Sequence, residues 1–524
     1  MGKVRNILFI MCDQLRADYL GCNGHPSLRT PNIDALAARG VNFTRAYCQA
    51  PVCGPSRMSF YTGRYMHSHG ATYNNVPLRI GERTLGDYMR DLGVRTGLIG
   101  KTHMQADAAG MRRLGIEPTS TEGVLASECG FEPWERDDGL HPDQSADPNL
   151  AYNAYLRAHG YEGDNLWHTV ANAAEGPDGE VLSGWNMRYA HLPARVAKEH
   201  SETAYMTDRA MATIEDLGET PWCMHLSYIK PHWPYVAPAP YHNMYGDNDV
   251  LPANRDGAER TAPHPVIGAF MQHEESVNFS REEVRRHVIP AYMGLITEID
   301  DHMGRLMAFL EEQGRLDDTL IVFTSDHGDY LGDHWLGEKE MFHDESLRIP
   351  MIVADPDTAA DLTRGTRDDR FVESLDLIPT FVDALGGPAA DHVLEGHSLL
   401  PLLRGTETGD WRDAVFSEAD YAFRGARHTL NRAPDETRAF MVMTDDWKYV
   451  SFDGYRSQLF DRRNDPHELN DLGGSEMHAA VLAEMEGRIA TWLRRRRIRT
   501  TIPFAAVEQR TDTAKERGYL FGVW

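Results

Sequence analysis

Four short apolar runs each end in polar, mostly ionisable side chains. They are NILFIMC, followed by Asp13 and Gln14, then RTGLIGKTH (95–103), WCMHLSYIKPH (222–232) and TLIVFTSDHGD (319–329). A short, wholly apolar run suits a central strand of a parallel sheet, buried on both faces, and leaves the residues at its carboxyl end for function. Between two of these runs Tyr292, Leu295, Ile296, Ile299, Met303, Leu306, Met307 and Leu310 recur at spacings of three and four, and Gly314 follows as a stop. That spacing predicts an amphipathic helix. Alternating strands and helices predict an α/β fold with a doubly wound, mostly parallel sheet. Ligands of such sheets gather beyond the carboxyl ends of the strands, so Asp13, Lys101, His103, His232, Asp326 and His327 should surround one crevice.

At 524 residues the chain exceeds what one core usually holds, which predicts a large domain over 1–404 and a smaller one over 405–524. Within the first, 104–200 is rich in Asp, Gly, Pro and His with weak periodicity, and reads as an irregular insert, either a substrate-facing lid or a solvated excursion. The second shortens into strands and turns, a small α+β subdomain with an antiparallel sheet. A helix carrying RRRR (494–497) follows, then an extended tail ending GYLFGVW. An apolar tail end tends to dock on something, here a second copy, so a homo-oligomer, dimer or tetramer, is expected.

The formal charge of −26 argues against nucleic-acid partners and anionic membrane surfaces, and an anionic substrate would need a local basic site. Six cysteines without a CxxC pair do not form a disulfide framework. The first apolar run stops at Asp13, too short for a signal-peptide core, and no run reaches membrane-spanning length. The expectation is a reduced, cytoplasmic protein.

One cysteine stands apart. Cys53 lies in QAPVCGPSRMSFYTGR (49–64), among turn-forming residues and four positions before Arg57, whose cation would draw a thiol toward thiolate. Cys53 therefore reads as chemical rather than structural.

CGPSR (53–57) with TGR (62–64), GKTH (100–103), KPHWP (230–234) and SDHGD (325–329) resembles the formylglycine-dependent sulfatases of the alkaline phosphatase superfamily, and the similarity extends to LFDRRNDPHELNDL near the C-terminus. The resemblance implies an alkaline phosphatase-like fold. It also implies that a formylglycine-generating enzyme converts Cys53 to formylglycine. One hydroxyl of the hydrated aldehyde would attack the sulfur of a small-molecule sulfate ester, and the other would later lose its proton and expel sulfate. One divalent metal, Ca²⁺ or Mn²⁺, would be held by Asp13, Asp326, His327 and residue 53, with Gln14 a neutral oxygen donor. By the same resemblance Arg57 steadies the diol and His103 is the base for departing sulfate. His232 and Lys339 attend the leaving group and the sulfate oxygens, Lys101 offsets charge near the nucleophile, and Asn74 donates a further hydrogen bond.

Two positions depart from the commonest sulfatase pattern. Asp13-Gln14 stands where many sulfatases have two aspartates, and Asp326-His327 where they have Asp-Asn, as in the phosphonate monoester hydrolase and choline-sulfatase branches. GKTH pulls the other way, toward sulfate. The expectation is an arylsulfatase-type enzyme with promiscuous phosphonate monoester and phosphodiester activity. The alternatives are a phosphonate monoester hydrolase or phosphodiesterase of the same fold, an inactive binding protein, and a plain redox thiol.

Overall fold

The computed structural model describes residues 4–406 and 409–520. Among these the centre is an eight-stranded sheet. Its strands are β1 (Asn6–Asp13), β2 (Val41–Phe43), β3 (Arg95–Gly100), β4 (Glu132–Arg136), β5 (Trp222–Pro231), β6 (Thr319–Ser325), β7 (Met351–Ala354) and β8 (Thr366–Asp368). They lie in the order β8-β2-β7-β6-β1-β5-β3-β4. The four apolar runs of the sequence are β6, β1, β5 and β3, side by side and parallel. Only β7 among the eight runs against the rest, antiparallel to both β6 and β2.

Alternation along β1 divides the core between the two faces of the sheet. Ile7, Phe9 and Met11 join one apolar cluster, and Leu8, Ile10 and Cys12 the other. Cys12 pairs with Ser325 of β6 and Tyr228 of β5, and the register slips at Asp13. Asp13 and Asp326 therefore leave the sheet together at its carboxyl edge.

The amphipathic run lies inside a long helix, Glu282–Glu312, whose buried residues include Leu295, Ile299, Met303, Leu306 and Leu310. Glu282 and Glu283 favour its start, and Gly314, at φ 65°, follows its end. Another helix, α1 (Cys53–Thr62), is buried along its whole length and stops at Gly63, whose φ of 65° suits glycine.

The weakly periodic segment 104–200 is ordered. It supplies β4 at the sheet edge, a helix over Ala151–Ala158 and a hairpin of Ala173–Glu175 with Val181–Ser183. As an edge strand β4 is only partly buried, which explains why its sequence, EPWER, lacks an apolar run.

Toward the C-terminus, β9 (Val415–Asp420), β10 (Arg438–Met443), β11 (Trp447–Phe452) and β12 (Gln458–Asp461) form an antiparallel sheet. A helix, Ala479–Arg494, covers it, setting Met485 and Ile489 against Val442, Tyr449 and Leu459. The following helix, Phe504–Arg510, buries no residue, and Tyr519 and Leu520 are exposed. The last four residues of the apolar tail, 521–524, lie outside the described residues. No helix among the described residues is long and apolar enough to cross a membrane.

Candidate active site

At the carboxyl edge of the sheet, β1 delivers Asp13, the turn after β6 delivers Asp326 and His327, and the first turn of α1 delivers Cys53. All four are buried, and one donor atom from each lies within 4.8 Å of every other. Cys53 Sγ is 3.1 Å from His327 Nε2 and 3.6 Å from Asp13 Oδ1. The Nδ1 of His327 lies 2.8 Å from the Gly328 carbonyl, which can only accept, so Nδ1 carries hydrogen and Nε2 faces the cluster. A hydrogen bond of this kind commonly orients a metal-ligating imidazole.

The turn bearing Asp326 is pinned to segments remote in sequence. Ser325 Oγ accepts from the Leu15 amide at 2.9 Å, and Ser56 Oγ donates to the Asp326 carbonyl at 2.6 Å. At the head of α1 the Gly54 amide donates to Asn74 Oδ1 at 2.7 Å. A Cβ on Gly54 would fall 2.8 Å from that oxygen, so the glycine of CGPSR admits Asn74 to the helix end. Asn74 thus fixes the orientation of the turn that carries Cys53.

Three cations surround this cluster. Arg57, one turn along α1, donates to Asp326 Oδ2 at 2.9 Å, the Lys101 carbonyl at 2.8 Å, Ser227 Oγ at 2.7 Å and Asp13 Oδ2 at 3.3 Å. Lys101 Nζ lies 2.5 Å from Asp13 Oδ2. Lys339 Nζ donates to Gln14 Oε1 at 2.8 Å and lies 3.2 Å from His232 Nε2. His232 Nδ1 is 2.8 Å from the Trp233 carbonyl, so it holds the hydrogen and leaves Nε2 as acceptor for Lys339.

These charges set the protonation of the site. Burial would push the Cys53 thiol up, but Lys339, Lys101, His327 and a hydrogen bond with His103 together hold it well below its usual value. Burial would push His327 down, yet Asp326 and Cys53 prevail and raise it to about 9. Burial and the neighbouring Lys339 lower His232, keeping it neutral. Lys101 and Lys339 lose to burial but gain more from Asp13 and Cys53, and both stay cationic.

The eleven residues singled out from the sequence form one connected group. Gln14 is engaged by its amide: the oxygen accepts from Lys339, and Nε2 donates to Asp329 Oδ2 at 2.5 Å and Tyr235 OH at 3.3 Å. His103 holds a left-handed backbone at φ 55°, its amide bonded to Asp138 Oδ1 at 2.9 Å, and its buried Nδ1 has no partner among the described residues. Sequence reasoning missed Asp329, Tyr235 and Asp138. Asp329 closes the SDHGD motif and Asp138 stands in the DDG of the insert, but only the folded chain shows that they hold Gln14 and His103. Tyr235 carried no signal.

Two carboxylates, an oriented imidazole and the side chain of residue 53 form a donor set that fits a divalent cation. With sulfur at position 53 it suits a softer ion, and with oxygen there a harder one such as Ca²⁺ or Mn²⁺.

Comparison with known proteins agrees with this geometry. The family model described as sulfatase matches residues 5–387, and the model of the N-sulphoglucosamine sulphohydrolase C-terminal region matches 332–495. A multifunctional alkaline phosphatase superfamily protein of Trinickia caryophylli is 31% identical over 519 residues, 93% of this chain and 95% of that protein. An arylsulfatase of Clostridium perfringens is 28% identical, covering 92% of this chain and 95% of the relative. Among solved structures, a phosphonate monoester hydrolase from Silicibacter pomeroyi has a TM-score of 0.83 at 29% identity, covering 96% of this chain and 98% of that one. The corresponding hydrolase of Agrobacterium radiobacter has a TM-score of 0.80 at 28% identity, covering 93% and 95%.

Proposed function

Because the chain belongs to the sulfatase family, we propose that it hydrolyses sulfate monoesters, aryl sulfates included, with secondary activity on phosphonate monoesters and phosphodiesters. The nucleophile is residue 53 after conversion of Cys53 to formylglycine, and Asp13, Asp326, His327 and residue 53 hold one divalent cation, Ca²⁺ or Mn²⁺. Such a cation supplies polarisation of the ester oxygens and a lowered pKa for a hydroxyl at position 53. Everything else falls to the chain's own side chains.

The observation that carries this reading is the flanking of Cys53 by two buried lysines. Lys101 is paired with Asp13 on the nucleophile side, and Lys339 is paired with His232 and Gln14. Sulfuryl transfer through a loose transition state places charge on the leaving oxygen, which needs a cation or a proton. Lys339 is the cation, and its ammonium hydrogen bond keeps His232 in the tautomer that accepts. His103, hydrogen-bonded to residue 53 and with a free Nδ1, is placed to take the proton whose loss expels sulfate. Arg57 turns its guanidinium to both aspartates and holds them in position. Six unpaired cysteines support a reducing compartment, the cytoplasm.

The likeness to two phosphonate monoester hydrolases, together with Gln14 and His327, favours a second reading in which phosphonate is the preferred ester. One sample with residue 53 fully modified, assayed on an aryl sulfate and an aryl phosphonate monoester, separates the two. In a Lys101→Ala, His103→Ala double variant sulfate turnover should fall further than phosphonate turnover. Equal losses, or a wild type preferring phosphonates, would reverse the order of the two activities.

A further inference from the structure

Lys339, assigned above to the leaving group, sits on a backbone that few side chains tolerate. Its neighbours Glu338 and Glu340 take φ of 62° and 91°, in the left-handed region that favours glycine. Leu331, His334 and Trp335, earlier in the same loop, share that region. Such conformations persist only where surrounding contacts over-determine them. At Glu340 the contacts come from three segments distant in sequence. Its amide donates to the carbonyl of Pro51, two residues before Cys53, at 3.0 Å. Its buried carboxylate accepts from Tyr73 OH at 2.5 Å through Oε1 and pairs with Arg424 Nε at 2.7 Å through Oε2. Tyr73 adjoins Asn74, the residue that takes the Gly54 amide at the head of α1. Glu340 thus ties the backbone of Lys339 to both segments that orient Cys53.

The third tie reaches in from the C-terminal subdomain, where Arg424 follows β9. Its guanidinium meets Glu340, Glu275 and, through Nη2 at 3.0 Å, His273 Nδ1. The preceding residue, Phe423, stacks on the Tyr73 ring with centroids 5.1 Å apart and planes 16° from parallel. Two consecutive residues of the subdomain therefore close on the two side chains that brace the Lys339 loop. Among the described residues Arg424 is the only ion-pair partner of Glu340. A buried carboxylate stripped of its partner draws on another cation, and Lys339 is next to it in the chain.

We propose that Glu340 is a positioning residue for Lys339 and that Arg424 holds it in place, so that docking of the C-terminal subdomain sets the cation that serves the leaving group. The proposal rests on the ester-hydrolase reading for the role of Lys339, but the clamp can be tested without turnover.

Leaving-group chemistry reports the placement of Lys339. Phenol, with a pKa of about 10, needs its oxygen stabilised as the ester bond breaks, whereas 4-nitrophenol spreads that charge over its own ring. Arg424→Met and the nearly isosteric Glu340→Gln should each lower kcat/KM for phenyl sulfate at least about fivefold more than for 4-nitrophenyl sulfate. Aryl phosphonate monoesters of the same two phenols give the same comparison if phosphonate is the preferred ester. Equal losses on both phenols, or no loss, overturn the proposal, because a general defect in folding or metal loading does not distinguish between them. Should fully modified, metal-loaded enzyme hydrolyse neither series, the assigned reaction fails and hydrogen exchange decides the clamp. Amides of the 336–342 segment should then exchange at least about fivefold faster in Arg424→Met than in wild type, with those of β1 and β6 unchanged. Equal exchange in that segment, or faster exchange throughout the molecule, refutes the clamp.

Discussion

Replacing Arg57 with methionine removes a guanidinium that donates hydrogen bonds to both buried aspartates. Arg57, Asp13 and Asp326 have no exposed side-chain surface. Asp13 would keep Lys101 at 2.5 Å. Asp326 fares worse: the Gln14 and His327 amides serve its Oδ1, while Oδ2 is served by Arg57 Nε. The variant therefore leaves a buried carboxylate half satisfied, together with the Lys101 carbonyl and Ser227 hydroxyl. Breaking a buried pair by deleting one partner costs about 3–5 kcal/mol. Methionine fills much of the volume, which puts the expectation at the lower end, about 3 kcal/mol. Adding Asp326→Asn removes the stranded charge, so the double variant should be more stable than the sum of the single losses by about 1–3 kcal/mol. Equilibrium urea unfolding followed by tryptophan fluorescence measures all four proteins. Strict additivity, or an Arg57→Met loss below about 1 kcal/mol, would refute the claim that Arg57 neutralises this pair. Arg57→Lys should rescue part of the stability but little turnover, since a point charge cannot span both carboxylates as the fork does.

Three further outcomes are expected. Asp326→Asn should lower metal affinity by more than about tenfold and reduce turnover with it; full occupancy by elemental analysis in an Asp13→Asn, Asp326→Asn variant would dismiss the ligand set. Glu298 is wholly buried near Lys230 and Glu202, and burial raises its carboxyl to about 7. A group raised in the folded state stabilises fully below its unfolded pKa and loses that contribution as pH climbs through about 7, so Glu298→Gln should flatten the fall in unfolding midpoint between about pH 4.5 and 7. Truncation after Arg497 should give smaller particles in light scattering if the exposed arm beyond it joins copies of the chain, and an unchanged size, or a monomeric parent, removes that idea.

The centre of the sheet was legible because its four strands are buried on both faces and carry their ionisable residues at one end, so composition and position gave the same signal. The helix ending before Gly314 was legible through its period. β7 was not: MIVA is too short an apolar run to reveal that it is antiparallel, a direction decided by pairing with β6. Edge strand β4 escaped for the converse reason, since half-exposed residues need no pattern. At the site, the sequence grouped residues by type but not by partner. Gln14 offered an amide oxygen to any cation, and whether that cation is a metal or Lys339 depends on a residue 325 positions away. Separations of 315 and 221 positions likewise concealed Asp329 and Tyr235 as the acceptors of its amide nitrogen.

Cys53 is 1% exposed, and the residues around it through Arg57 are buried within α1. Under the formylglycine proposal, an enzyme that must grip this segment to oxidise the cysteine would find no handle on it once the sheet has closed, and conversion would have to precede folding, while the chain is still extended. Each molecule would then be committed at birth: one that folded with its thiol intact would stay inert, and no later supply of the modifying enzyme would recruit it. The ceiling on activity in any preparation would be fixed by a race between modification and folding, and slowing the folding of the first sixty or so residues would raise that ceiling without altering a single atom of the finished site.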